Sequence, residues 1–159
     1  MIKQVQLRAL SGEKAHLSAK RALEGLTFET AGRKTDLMPY TIWQLLKHMN
    51  YWQQKWLDRL DGKPVAQDSS WKNGWTEEVN ASSPEVLNKE VTSFLQSIEK
   101  VKNILEQGKV LEVTTNEYYS NQYEIIQAMA SHLSYHLGEL VLLRRILGNW
   151  PPQSGGYVW

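Results

Sequence analysis

An all-α fold, a four-helix bundle with long crossover connections, is predicted by three features of the sequence. Four long segments repeat their apolar residues at helical spacing, strand signals are sparse, and the connections between the segments are long. The whole chain, 1–159, reads as a single domain, since 159 residues suffice to bury one core.

The first segment, Lys3 to Leu26, is interrupted at Ser11-Gly12. Gly disfavours a helix interior, so one or two turns, a break, and then a helix from about Glu13 to Leu26 are expected. Thr27 to Tyr40 is a connection containing Gly32 and Pro39. Thr41 followed by Gln44 forms a capping-box pattern that opens the second segment. Ile42, Leu45, Met49, Trp52, Trp56 and Leu60 make its apolar stripe, and Asp61-Gly62 with Pro64 ends it. His48 lies on the flank of that stripe.

Pro64 to Ser82 is a long polar loop carrying Trp71 and Trp75, and loops of such length often cover a site. Ser83-Pro84 supplies a cap and a first helical residue for the third segment. Val86, Val91, Phe94, Leu95, Ile98, Val101 and Leu105 form its stripe, and Gly108 closes it. Val110 to Ser120 is β-branched, an extended connector or a brief strand. Asn121 with Glu124 repeats the capping-box pattern, and the last helix runs to about Leu147 before Gly148 and Pro151-Pro152. This helix is apolar around more than half its circumference, so it is expected to pack on several neighbours or on a second subunit.

Composition narrows the function. Apolar residues make up 42% and charged residues 22%, which is a globular balance. The net charge is +1 without a basic block, which argues against nucleic acid as a partner. No apolar run approaches the roughly 20 residues that cross a bilayer, and the N-terminus lacks a signal-peptide core. With no cysteine there is neither a disulfide nor a thiolate ligand, and a cytoplasmic location is expected. Seven tryptophans and seven tyrosines imply an aromatic interior, an aromatic-lined pocket or a sticky interface.

The last helix carries the chemistry. In Ala130-Ser-His-Leu-Ser-Tyr-His-Leu-Gly-Glu139, His132 and His136 stack on one helical face and can converge on one metal ion. His48 offers a third imidazole, although spacing alone leaves its distance from the pair open. Packing histidines explain the same pattern without any metal. No Glu follows His132, so the zinc-protease motif is absent, as are Gly-x-Ser-x-Gly and a phosphate-binding glycine loop.

The chain resembles the DinB-like family of metal-binding four-helix bundles, which is unrelated to the DNA polymerase of that name. The matching parts are Leu10-Ser-Gly-Glu-Lys-Ala-His16, Trp43-Gln-Leu-Leu-Lys-His48, Trp71-Lys-Asn-Gly-Trp75, His132-Leu-Ser-Tyr-His136-Leu-Gly-Glu139-Leu and Leu143-Arg-Arg-Ile-Leu-Gly148-Asn-Trp-Pro151. They span most of the chain in the family's order. The resemblance implies that His48, His132 and His136 bind one divalent transition metal, zinc or nickel first, with iron or manganese as further candidates. Relatives include thiol-dependent transferases and isomerases and metal-dependent hydrolases.

The expectation is therefore a metal-dependent enzyme acting on a small molecule, a hydrolase first and a thiol S-transferase second. The alternative is a non-catalytic metal-binding or dimeric interaction protein, and a homodimer is expected. Glu139 shares the face of His136 and is the candidate catalytic residue, as a partner to a ligand, a general base or a further ligand. Its bland role is an ion pair with Arg144 or Arg145. Gln44, Tyr51, Trp52 and Lys55 surround His48 and either line a pocket or pack. Trp71 and Trp75 either form a lid or plug the bundle end; Tyr135 reads as packing and His16 as structural.

Overall fold

The structure is a computed structural model that describes residues 2–12, 15–66, 71–108 and 111–155, with the Trp71 side chain excluded. The expected helix start at Glu13, the Val110 end of the β-branched stretch, the lid or plug role of Trp71 and the tail aromatics Tyr157 and Trp159 lie outside the described residues.

Among the described residues six α-helices follow one another: α1 Ile2–Ser11, α2 Ala19–Leu23, α3 Phe28–Ala31, α4 Ile42–Leu60, α5 Pro84–Gln107 and α6 Gln122–Ile146. The four long ones form the bundle. Helix α4 packs on α5 and α6, α1 packs on the same two, and α2 closes over α5 and α6. Helix α6 thus meets α1, α2 and α4, which accounts for its broad apolar surface. Among the described residues no strand forms; Thr35 and Met38 make an isolated bridge. No described helix is long and apolar enough to cross a membrane.

The caps explain where the long helices start. Thr41 Oγ1 accepts from Gln44 N while the Gln44 side chain accepts from Thr41 N, so the capping box is complete. Ser83 caps α5 with Pro84 in its first turn, and Gly108 ends it at φ 65°. Asn121 Oδ1 accepts from Tyr123 N and Glu124 N. The Glu124 carboxylate reaches one residue further back, to the N–H and hydroxyl of Ser120.

The first segment differs from expectation. The longer helix precedes the Ser11-Gly12 break, and only the five-residue α2 follows it. Gly12 takes φ 77°, and a Cβ there would lie 2.6 Å from the His16 carbonyl oxygen. The chain turns sharply at that point, and Ser18, a cap not recognised in the sequence, starts α2. The Thr27–Tyr40 connection contains α3, capped by Thr27. The 111–120 stretch is an extended connector, tied down by Thr114 N to Arg59 O at 3.0 Å and Leu111 N to Gln122 Oε1 at 2.7 Å.

The core divides into two apolar clusters. One contains Ile42, Leu45, Met49, Phe94, Leu133 and Leu137, and the other Leu10, Trp56, Leu60, Val101, Ile126 and Met129. On α4 the seam between them falls between Met49 and Trp56; on α6 it falls between Ala130 and Leu133. His132 falls within that seam, and His48 and His136 border it on the side of the first cluster, which brings polar rings into a helix–helix interface.

Candidate metal centre

Helix α4 supplies His48 and helix α6 supplies His132 and His136. The pair is one helical turn apart, so its rings stand together, with centroids 4.2 Å apart. Packing of α4 against α6 then brings His48 to the pair. One ring nitrogen from each of the three lies within 4.8 Å of those of the other two. The Nε2 atoms of His48 and His132 are 3.3 Å apart. Two ligands on a tetrahedral ion with bonds of about 2.0–2.1 Å are separated by about 3.3 Å, so this spacing fits a shared ion.

The donor set suits the same ion. Burial pushes the His48 imidazole down to about 4, assisted by repulsion from His136 and opposed by the Gly74 backbone and Glu139. Burial also pushes His132 down to about 3, with repulsion from His136 and His48 adding to it. Both rings are therefore neutral at pH 7 and offer lone pairs to a divalent ion. Neutral imidazoles at this spacing can hold zinc, nickel or a related ion and leave a coordination position open.

Glu139 is joined to the centre. Its Oε2 lies 2.6 Å from Nδ1 of His136. The hydroxyl of Tyr40 also approaches this carboxylate, and its titration is raised by burial first and by Glu139 second. Tyr135 approaches the same carboxylate. The ion pair with an arginine does not form at Arg144, which is fully buried elsewhere, with Nη1 2.7 Å from Ala22 O and Nε 2.9 Å from Asn149 Oδ1. Tyr135 is 66% exposed, its ring edge-on to His136, so the packing expected of it is not observed.

Aromatic rings wall the histidines. Trp75 stacks on His48 at 4.1 Å and 15°, Trp52 meets it edge-on, and Trp56 meets His132 edge-on. Gly74 passes so close that a Cβ would lie 2.8 Å from Trp52 Nε1 and 3.0 Å from His48 Nδ1. That Nδ1 is buried without a full hydrogen bond. Of the side chains expected around His48, Gln44 is used in the cap and donates to Thr76 O at 3.0 Å. Tyr51 and Lys55 line a neighbouring cleft of about 610 Å³ between α4 and α5, whose wall includes Gly74 and Trp75. His16 stands apart from the cluster, its Nδ1 2.8 Å from Leu17 O. Tyr40 is the contact that the sequence did not disclose, because it lies in a connection with no periodicity to place it.

Neither a curated protein nor a solved structure matches the chain. The sequence model described as the DinB family matches residues 10–157, which take in every helix of the bundle except most of α1. With the three-histidine cluster and the all-α bundle already in place, that match shows that the chain belongs to the DinB family.

Proposed function

We propose that the protein is a metal-dependent enzyme in which His48, His132 and His136 hold one divalent transition ion, zinc or nickel first. The reaction is hydrolysis of a small molecule first and thiol-dependent transfer second. The observation that carries this reading is the convergence of three imidazoles from two helices, with two of them kept neutral by burial. A bound ion supplies Lewis acidity and lowers the pKa of a water in its open position.

The chain's own groups do the rest. The Glu139 carboxylate holds the Nδ1 proton of His136, which leaves Nε2 with the lone pair that faces the cluster. The same carboxylate is the proton-handling candidate beside the centre. Trp52, Trp56 and Trp75 pack around the rings and limit the water that reaches them.

Elemental analysis of protein purified without a polyhistidine tag tests the metal. One equivalent of a transition metal, lost in His132→Ala and kept in His16→Ala, is the expected result. Ester, amide and thiol-conjugation substrates, offered to metal-loaded and chelated protein, then test the chemistry. Turnover that survives chelation would sink the metal mechanism.

One observation favours the reading of a metal-binding protein that acts through association with a second copy. Ile2, Val5 and Tyr118 are 59%, 58% and 69% exposed around a single groove between α1 and the start of α6. Sedimentation of the metal-loaded protein tests it, with a dimer expected.

A further inference from the structure

We propose that Tyr40 and Trp75 are positioning residues of the metal centre, acting on it through Glu139 and His48. The proposal rests on the reading of the three histidines as a metal site.

The geometry closes a circuit around the centre. The Trp75 indole stacks on His48 at 4.1 Å and 15°, and on Tyr40 at 4.8 Å and 27°. The Tyr40 hydroxyl approaches the Glu139 carboxylate. Glu139 Oε2 in turn lies 2.6 Å from His136 Nδ1. A ligand on α4 and a ligand on α6 are thus linked by a path of side chains that does not pass through the metal position.

Each link constrains something the metal needs. The torsion that turns an imidazole about its Cβ–Cγ bond is broad, so an unsupported His48 ring sweeps its lone pair through a wide arc. A parallel indole against one face narrows that arc. A carboxylate offers about four lone-pair sites. Tyr40 occupies one of them and holds the group turned toward His136 Nδ1.

Both positioning residues are themselves anchored at the start of α4. Tyr40 immediately precedes the capping residue Thr41. The Trp75 segment is held by Gln44 Nε2 to Thr76 O at 3.0 Å, and Gln44 is the other half of the capping box. The close approach of Gly74 to His48 and Trp52 seats the same segment. Tyr40 and Trp75 also pack against the apolar core, so the test must separate orientation from packing.

Tyr40→Phe does so, because it keeps the ring, the stack and the packing and removes one oxygen. Zinc affinity of the metal-free full chain is measured by competition with a chromogenic chelator for wild type, Tyr40→Phe, Trp75→Leu and Trp75→Phe. Thermal melts of the metal-free proteins are recorded alongside. The expected result is about a tenfold loss of affinity in Tyr40→Phe and in Trp75→Leu, within the range for groups that orient ligands. Trp75→Phe, which restores a flat ring, recovers most of it, and the metal-free melting temperature of Tyr40→Phe stays at the wild-type value. Wild-type affinity in both Tyr40→Phe and Trp75→Leu overturns the proposal while leaving the metal site intact. Affinity losses that simply follow the metal-free melting temperatures also overturn it. A wild-type chain that takes up no zinc, nickel, iron or manganese overturns the metal reading itself.

Discussion

Oε2 of Glu139 lies 2.6 Å from Nδ1 of His136, three residues back on the same helix. In a neutral ring the carboxylate acceptor places the proton on Nδ1 and leaves the lone pair on Nε2. A carboxylate in that position raises the basicity of a ligand ring and holds its plane.

Glu139→Ala is therefore expected to weaken metal binding by about 10–100-fold, the usual range for such partners. Glu139→Gln keeps a carbonyl acceptor and loses the charge, so its loss is smaller. Chelator competition at pH 7 measures both. An unchanged affinity in Glu139→Ala would remove the carboxylate from the metal site.

The metal-free protein is expected to lose stability on mild acidification. In the unfolded chain an imidazole titrates near 6.5, whereas in the fold His48 and His132 titrate at about 4 and about 3. Between those limits the unfolded chain binds protons that the folded chain refuses. Stability is thus full above pH 6.5 and falls as the pH drops toward 4 and then 3. Urea midpoints of chelated wild type across pH 3–8 should show this slope. In His48→Ala and His132→Ala the slope should be shallower, and an equal slope in both variants would refute the assignment.

Gly74→Ala is expected to destabilise the fold by about 1–3 kcal/mol, the range for forcing extra volume into a packed site. The new Cβ would stand 2.8 Å from Trp52 Nε1, 3.0 Å from His48 Nδ1 and 3.1 Å from Tyr51 Cδ1. Metal affinity should fall with it, since the displaced groups include a ligand ring. Urea denaturation and chelator competition on one preparation read both effects.

Gly12→Ala supplies the contrast. Its φ of 77° disfavours a side chain, and the Cβ would press on the His16 backbone at 2.6 Å. Destabilisation of at least about 1 kcal/mol is expected, with the metal content of the folded protein unchanged. Loss of metal in this variant would tie His16 to the centre.

Much of this architecture is legible in the sequence. The caps at Thr41 and Ser83 and the left-handed Gly108 are local signals, each satisfied within a few residues of itself, and the structure places α4 and α5 by them. The first segment departs from its sequence pattern for a local reason as well. Glycine marks a break without saying on which side the longer helix lies, and the cap at Ser18 is what starts the short one. The site divides in the same way. The His132–His136 pair follows from helical period alone, because both rings ride on one rigid element. The approach of His48 depends on how α4 packs on α6, a tertiary relation that no spacing encodes, and here the family resemblance pointed to the residue. Tyr40 had neither period nor motif to mark it; its role comes from a hydroxyl crossing from one connection to another helix's carboxylate.

The position of the imidazoles at and beside the junction of the two apolar clusters has a mechanical consequence. The bundle is built as two oily halves joined at a polar waist, and at the waist α4 and α6 meet through ring nitrogens instead of methyl groups. Filling it with a cation would rivet the halves into one body, whereas an empty waist leaves only bare ring nitrogens at the joint. Occupancy would then decide whether the halves melt as a unit or one after the other, and amide exchange at the middle of α4 and α6 would register the difference.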